Sequence, residues 1–193
     1  MLTFTQMRAE HDDALSATTR LLSGIDSGEV SLTSPTPCAG WDLADLLGHM
    51  IGQNLGFAAA VTAGDAPATA YASVPVTTGD ASRAWQESAA TVREAFGAAD
   101  PAATVHLSEF GFRPTVEVAL GMQLLDAAVH AWDVATAVGA DHRPAPDTVA
   151  HVLEMARQIA ARPGGTPVFA APSTETGDDP WADALRLLGR QAA

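Results

Sequence analysis

Apolar residues recur along this chain at intervals of three and four. The runs are separated by stretches rich in Gly, Pro, Ser and Thr, a pattern that predicts helices joined by loops. In the first run, residues 4–22, Leu15, Thr18, Leu21 and Leu22 share one stripe, and Gly24 is expected to stop the helix. A Ser/Thr/Pro loop covers 31–40. Asp42, with an acid three residues on at Asp45, predicts the capped start of a second helix, LADLLGHMIGQNLGFAAAV, ended by Gly64-Asp65. After an unpatterned loop over 64–79, Asp80 is expected to cap a third helix, ASRAWQESAATVREAFGA, closed by Gly97 and Asp100-Pro101. ATVHLSEFGF alternates enough for a short strand or hairpin. A fourth helix is predicted over 116–138, opened by Arg113-Pro114-Thr115 and followed by Gly139; it is apolar nearly all round and therefore central. Asp147 is expected to cap a fifth helix reaching about Ala161. Residues 162–180 read as loop and 181–190 as a last short helix. The pattern predicts an all-α fold, an up-and-down four-helix bundle with short extra helices and room for a small hairpin, occupying 1–193 as a single domain.

Composition supports a buried core: 47% of the 193 residues are hydrophobic and 17% charged, which excludes wholesale disorder. Charge narrows the partners. Ten basic residues, all Arg and scattered from Arg8 to Arg190, face 23 acidic ones for a net −13. Such a surface repels a phosphate backbone or an anionic leaflet, so neither nucleic acid nor a membrane is expected as a partner. Cys38, alone, excludes an intrachain disulfide and a thiolate metal cluster. The N-terminal MLTFTQMRAEHDDAL lacks the basic and apolar regions of a signal peptide, and no long apolar run appears, so the expected location is cytoplasmic.

Nucleophile elbow, phosphate loop, zinc-protease and dinucleotide-binding motifs are all missing. The histidines carry more. His49 and His130 fall mid-helix among apolar residues, and a buried imidazole must satisfy both ring nitrogens. Asp126 precedes His130 by four residues and shares its face. A carboxylate and an imidazole so spaced, facing a His from another helix, is how bundles build metal sites; three protein ligands leave a position open for chemistry. The same spacing suits a core pair in which Asp126 only orients His130 and His49 is satisfied separately. Against the core pair stands the cost of burying an Asp and two His with no Lys nearby. Two imidazoles and a carboxylate favour zinc, with nickel, iron or manganese as alternatives.

Gly48, Gly52 and Gly56 recur within the second helix, where each costs about 0.5–1 kcal/mol relative to Ala. A neighbouring helix packs closely there, or space is kept beside His49 for a ligand, and both can hold at once. Asp45 reads as a cap before a ligand, Asp133 as an outer partner of His130 or a loop anchor, and Gln53 as a ligand contact or surface residue. His11, beside Asp12 and Asp13, reads as part of a solvated face, and His106, His142 and His151 as exposed. Trp41 and Trp132 read as core anchors or pocket walls, and Cys38 as a small buried side chain. No general acid or base is identified, and the catalytic and cofactor-binding residues stay unassigned.

The strings TPCAGWDLADLLGHMIGQN and LLDAAVHAWDVATAVG, with the ending PVFAAP…WADALRLLGR, resemble actinobacterial metal-binding proteins of the DinB-like superfamily. These are related to the N-terminal domain of mycothiol-dependent maleylpyruvate isomerase. The resemblance implies a four-helix bundle whose divalent metal is held by His49, Asp126 and His130. It implies mycothiol as the thiol cosubstrate, bound to the metal as thiolate, and hence a metal-dependent thiol isomerase or S-transferase acting on a small electrophile. The other reading is a non-catalytic metal or small-molecule binder on the same bundle; a homodimer fits either. Two departures are expected to matter: Asp126 stands where the isomerases have Glu, and no counterpart of their additional C-terminal domain is expected after Ala193.

Overall fold

The computed structural model describes residues 2–162 and 170–191. Its helices are α1 (Phe4–Leu21), α2 (Ser23–Asp26), α3 (Leu43–Ala63), α4 (Ala81–Ala98), α5 (Val116–Ala137), α6 (Pro146–Ala160) and α7 (Pro180–Leu187). Four long ones, α1, α3, α4 and α5, make the bundle. Trp85 bonding Thr19 and Arg93 pairing with Asp12 run α4 antiparallel to α1; Gln123 bonding Asn54, with His49 stacked on His130, run α5 antiparallel to α3. The core between them holds Trp85, Phe57, Phe96, Leu46, Leu47 and Leu124, all buried, each contributing about 1.5–3 kcal/mol against the entropy of ordering the chain. As expected, α5 is central, packing on α1, α3 and α6.

Helix starts follow local chemistry. Asp42 and Asp45 form the expected reciprocal capping box on α3, and Gly64 takes the left-handed conformation that ends it. A second capping box, Thr3 with Gln6, opens α1. Several expectations shift. Gly24 stops nothing: α1 ends before it, and Gly24 lies inside α2. The Asp80 side chain makes no cap bond to α4 but accepts from the Thr77 N–H at 2.6 Å, tying the preceding turn instead. Gly97 lies within α4. Asp147 sits in the first turn of α6, which starts on Pro146 without a side-chain cap. The last helix begins at Pro180, capped by Asp179, and ends at Leu187. The loop expected over 162–180 falls in part on 163–169, outside the described residues.

The segments read as unpatterned loop and as strand or hairpin come together. β1 (Asp65–Ala66) pairs in parallel with β2 (His106–Leu107), and an antiparallel bridge from Leu107 to Phe112 closes the turn that follows. A 3₁₀ turn, Ala68–Tyr71, leads into a strap over 71–74 that lies on α3. This strap explains the three glycines. A Cβ on Gly48 would stand 2.7 Å from the Val74 carbonyl oxygen and one on Gly52 2.8 Å from that of Tyr71; one on Gly56 would collide with the Tyr71 ring. The Val74 N–H also donates to the Gly48 carbonyl at 3.0 Å. Gly48 and Gly52 admit the crossing backbone of the strap and Gly56 its Tyr71 ring, so the strap fills the space expected for a neighbouring helix or a ligand. Among the described residues no helix is long and apolar enough to cross a membrane.

Candidate metal centre

Antiparallel packing of α3 on α5 brings His49 against Asp126 and His130. The two imidazoles meet edge to face, ring centres 5.2 Å apart. Their Nε2 atoms both approach one carboxylate oxygen, Asp126 Oδ1, at 3.4 Å from His130 and 3.9 Å from His49. One donor atom from each residue lies within 4.8 Å of the others. Neither approach closes into a hydrogen bond of ordinary length. Donors arranged tetrahedrally around a cation at about 2.0–2.1 Å stand roughly 3.3–3.4 Å apart; the His130 approach at 3.4 Å matches that spacing and the His49 approach at 3.9 Å exceeds it. Access fits too: the side chains of His49 and Asp126 remain 23% and 20% exposed, whereas that of His130 is 7% exposed.

The other nitrogen of His130 is fully committed. Its Nδ1 donates at 2.9 Å to Oδ2 of Asp133, one turn on along α5 and completely buried. That oxygen also accepts from the Cys38 thiol at 3.3 Å and from Arg190 Nη2 at 2.8 Å. An ionised carboxylate demands the N–H on Nδ1, so Nε2 is the ring position that faces Asp126 and His49, carrying a proton when the ring is charged and a lone pair once a cation replaces that proton. Burial opposes charge throughout, yet neighbours win. His130 and His49 hold the Asp126 carboxyl well below the usual range, Asp126 and Asp133 raise His130, and His130 with Arg190 lowers Asp133.

His49, Asp126 and His130 are thus brought together, and Asp133 proves to be both an outer partner and an anchor. Asp45 is spent on its cap. Gln53 is buried and donates to Glu109 at 3.0 Å. Trp41 is no core anchor: 37% exposed, its ring centre lies 5.0 Å from that of His49, where it flanks the site. Trp132 is half-buried. Cys38 is also half-buried, with a specific bond. His11 contradicts its reading as solvated; it is buried edge-on to Phe96, and its Nε2 has no partner among the described residues. His106, His142 and His151 are half-buried rather than exposed, His106 paired with Asp65 and His151 with the Gly121 carbonyl. The residue that sequence reasoning missed is Arg190, 57 positions beyond Asp133, which ends the WADALRLLGR string but has no role assigned by it.

Residues 11–135 match the family described as the mycothiol maleylpyruvate isomerase N-terminal domain. The chain belongs to this family, and its fold is the all-α, DinB-like bundle. It is also similar, at 28% identity over 188 residues, to uncharacterized proteins of Mycobacterium tuberculosis strains CDC 1551 / Oshkosh and ATCC 25618 / H37Rv. The alignment covers 93% of this chain and 95% of theirs. No solved structure matches.

Proposed function

We propose that this chain holds a divalent cation, zinc by preference, on His49 Nε2, the Asp126 carboxylate and His130 Nε2. With it, the protein uses a low-molecular-weight thiol of the mycothiol type as an isomerase or S-transferase on small electrophiles. The observation that carries the metal is the split use of His130: Nδ1 is bound to Asp133 while Nε2 faces the Asp126 carboxylate at 3.4 Å, with a His49 donor atom within 4.8 Å. The family description supports the thiol.

Bound there, the cation supplies Lewis acidity, lowering the pKa of a ligated thiol toward neutrality. The protein groups do the rest. Asp126 offsets positive charge, both imidazoles stay neutral and donate lone pairs, and the exposed edges of His49 and Asp126 leave a side from which a small molecule approaches. Trp41 walls that side with an apolar ring. Protein purified without a histidine tag should carry about one equivalent of zinc after loading and removal of excess. Calorimetry should detect mycothiol binding to the zinc-loaded form and not to the chelated form. Failure to retain any divalent metal would overturn the metal reading; equal thiol binding with and without metal would overturn the thiol reading.

A further inference from the structure

Arg190 lies outside the residues that define the family match, yet it reaches the carboxylate behind His130. The local fold aims it there. At the end of α7 the Arg190 N–H bonds the Leu185 carbonyl at 2.9 Å and the Gly189 N–H bonds that of Arg186 at 3.0 Å, a Schellman turn with Gly189 at φ +78. The turn is sterically locked, since a Cβ on Gly189 would stand 2.7 Å from that of Ala170. The guanidinium then grips both oxygens of Asp133, Nη2 to Oδ2 at 2.8 Å and Nε to Oδ1 at 3.4 Å, while Nη1 holds the Leu188 carbonyl at 2.9 Å. Arg190 is 7% exposed and Asp133 not at all.

We infer that Arg190 is a positioning residue for the metal centre: it fixes the Asp133 carboxylate, which fixes the tautomer and ring orientation of His130 and so directs Nε2 at the cation. The inference rests on the metal reading above and adds that the segment after α7 completes the site. A planar fork on both oxygens sets the carboxylate plane as well as its charge, which a point charge does not. Asp133 Oδ2 then has one orientation relative to Nδ1.

The test uses the full chain with Arg190→Gln and Arg190→Lys, read in two ways. Nitrogen–proton NMR of the metal-free protein, at a pH high enough that the raised His130 has lost its second ring proton, reports the His130 tautomer, and competition with a chromophoric chelator reports zinc affinity. Wild type should show a single Nδ1–H form. Arg190→Gln should show mixed tautomers and bind zinc about 10–100-fold more weakly, the usual effect of losing an outer partner, with helical circular dichroism retained. Arg190→Lys should fall between. An unchanged tautomer and zinc affinity within twofold, whatever the loss in urea resistance, would overturn the inference and leave Arg190 a pin between α7 and α5. Should the Gln variant not fold, Arg190→Lys decides by the same two readouts. Should wild type bind no zinc, the metal reading falls, and the tautomer comparison still decides whether Arg190 positions His130.

Discussion

Asp126 and Asp133 flank His130 on α5, four residues before it and three after, and the bundle treats them in opposite ways. Asp133 is sealed from solvent, and donors from α5, from the loop before α3 and from the segment after α7 converge on it. Asp126 keeps a fifth of its side-chain surface and has two imidazole nitrogens at distances too long for good hydrogen bonds. One carboxylate is fully bonded within the protein, and the other is held by two imidazoles at longer range and stays partly open to solvent. The difference separates a structural acid from a candidate ligand, where residue type and helical spacing alone do not.

The comparison breaks most visibly in unfolding. Asp133→Asn neutralises the buried carboxylate that His130, Cys38 and Arg190 all bond, and urea unfolding of the metal-free protein should show a loss of about 3–5 kcal/mol. Asp126→Asn should cost far less stability, because the site is partly hydrated. Zinc affinity should reverse the ranking. Asp126→Asn removes a donor and its charge, so it should lose more than the roughly 10–100-fold expected when an outer partner goes, as in Asp133→Asn. Equal zinc content in wild type and Asp126→Asn would show that Asp126 is not used.

The contrast was half legible in the sequence. Helix periods and the Asp42 cap placed His49, Asp126 and His130 on facing stripes, because those signals are local. Asp133 could be named as a neighbour of His130 but not ranked above Asp126, since its burial depends on α7, far along the chain. Arg190 ends the family-like string WADALRLLGR, but nothing local tied it to the site: its role comes from a helix-ending turn meeting a distant helix. The glycines of α3 misled for the same reason, since the strap over 71–74 shows no period. His11 misled because two acidic neighbours suggested water, whereas its face of α1 turns inward.

His11 separates the acid response of the core from that of the two carboxylates. Burial, aided by Arg93 and opposed by Asp12 and Asp126, pushes its imidazole down to about 4. Between that value and the ordinary 6.5 the unfolded chain binds a proton that the folded one refuses, so stability rises with pH across this window. Acidifying from pH 6.5 to 4 should therefore remove about 3 kcal/mol. Asp126 and Asp133, with lowered pKa values, contribute stability that is present above the ordinary carboxylate range and lost only at lower pH. Urea midpoints from pH 4 to 7 check this. His11→Phe should flatten the profile in that window; a profile that stays equally steep would assign the acid loss elsewhere.

The smallest expected effect concerns Cys38, and it tests whether the sealed side of His130 is itself a metal site. Cys38, His130 and Asp133 also offer donor atoms within 4.8 Å of one another. Arg190 argues against a cation there: its Nη2 is 2.8 Å from Asp133 Oδ2 and 3.7 Å from the Cys38 sulfur, filling with fixed positive charge the place an ion would need. Cys38→Ser keeps a donor toward Asp133, which retains its bonds from His130 and Arg190. Stability should change by no more than about 1 kcal/mol, the ordinary worth of one hydrogen bond, and zinc affinity by less than the roughly tenfold floor for a lost outer partner. Cobalt substitution makes the comparison sharp, because a thiolate ligand gives an intense near-ultraviolet charge-transfer band and nitrogen and oxygen ligands do not. The cobalt protein, free of added thiol, should lack that band in both wild type and Cys38→Ser. A band in wild type that vanishes in Cys38→Ser would move the metal to the sealed side of His130 and make Asp126, not Asp133, the bystander.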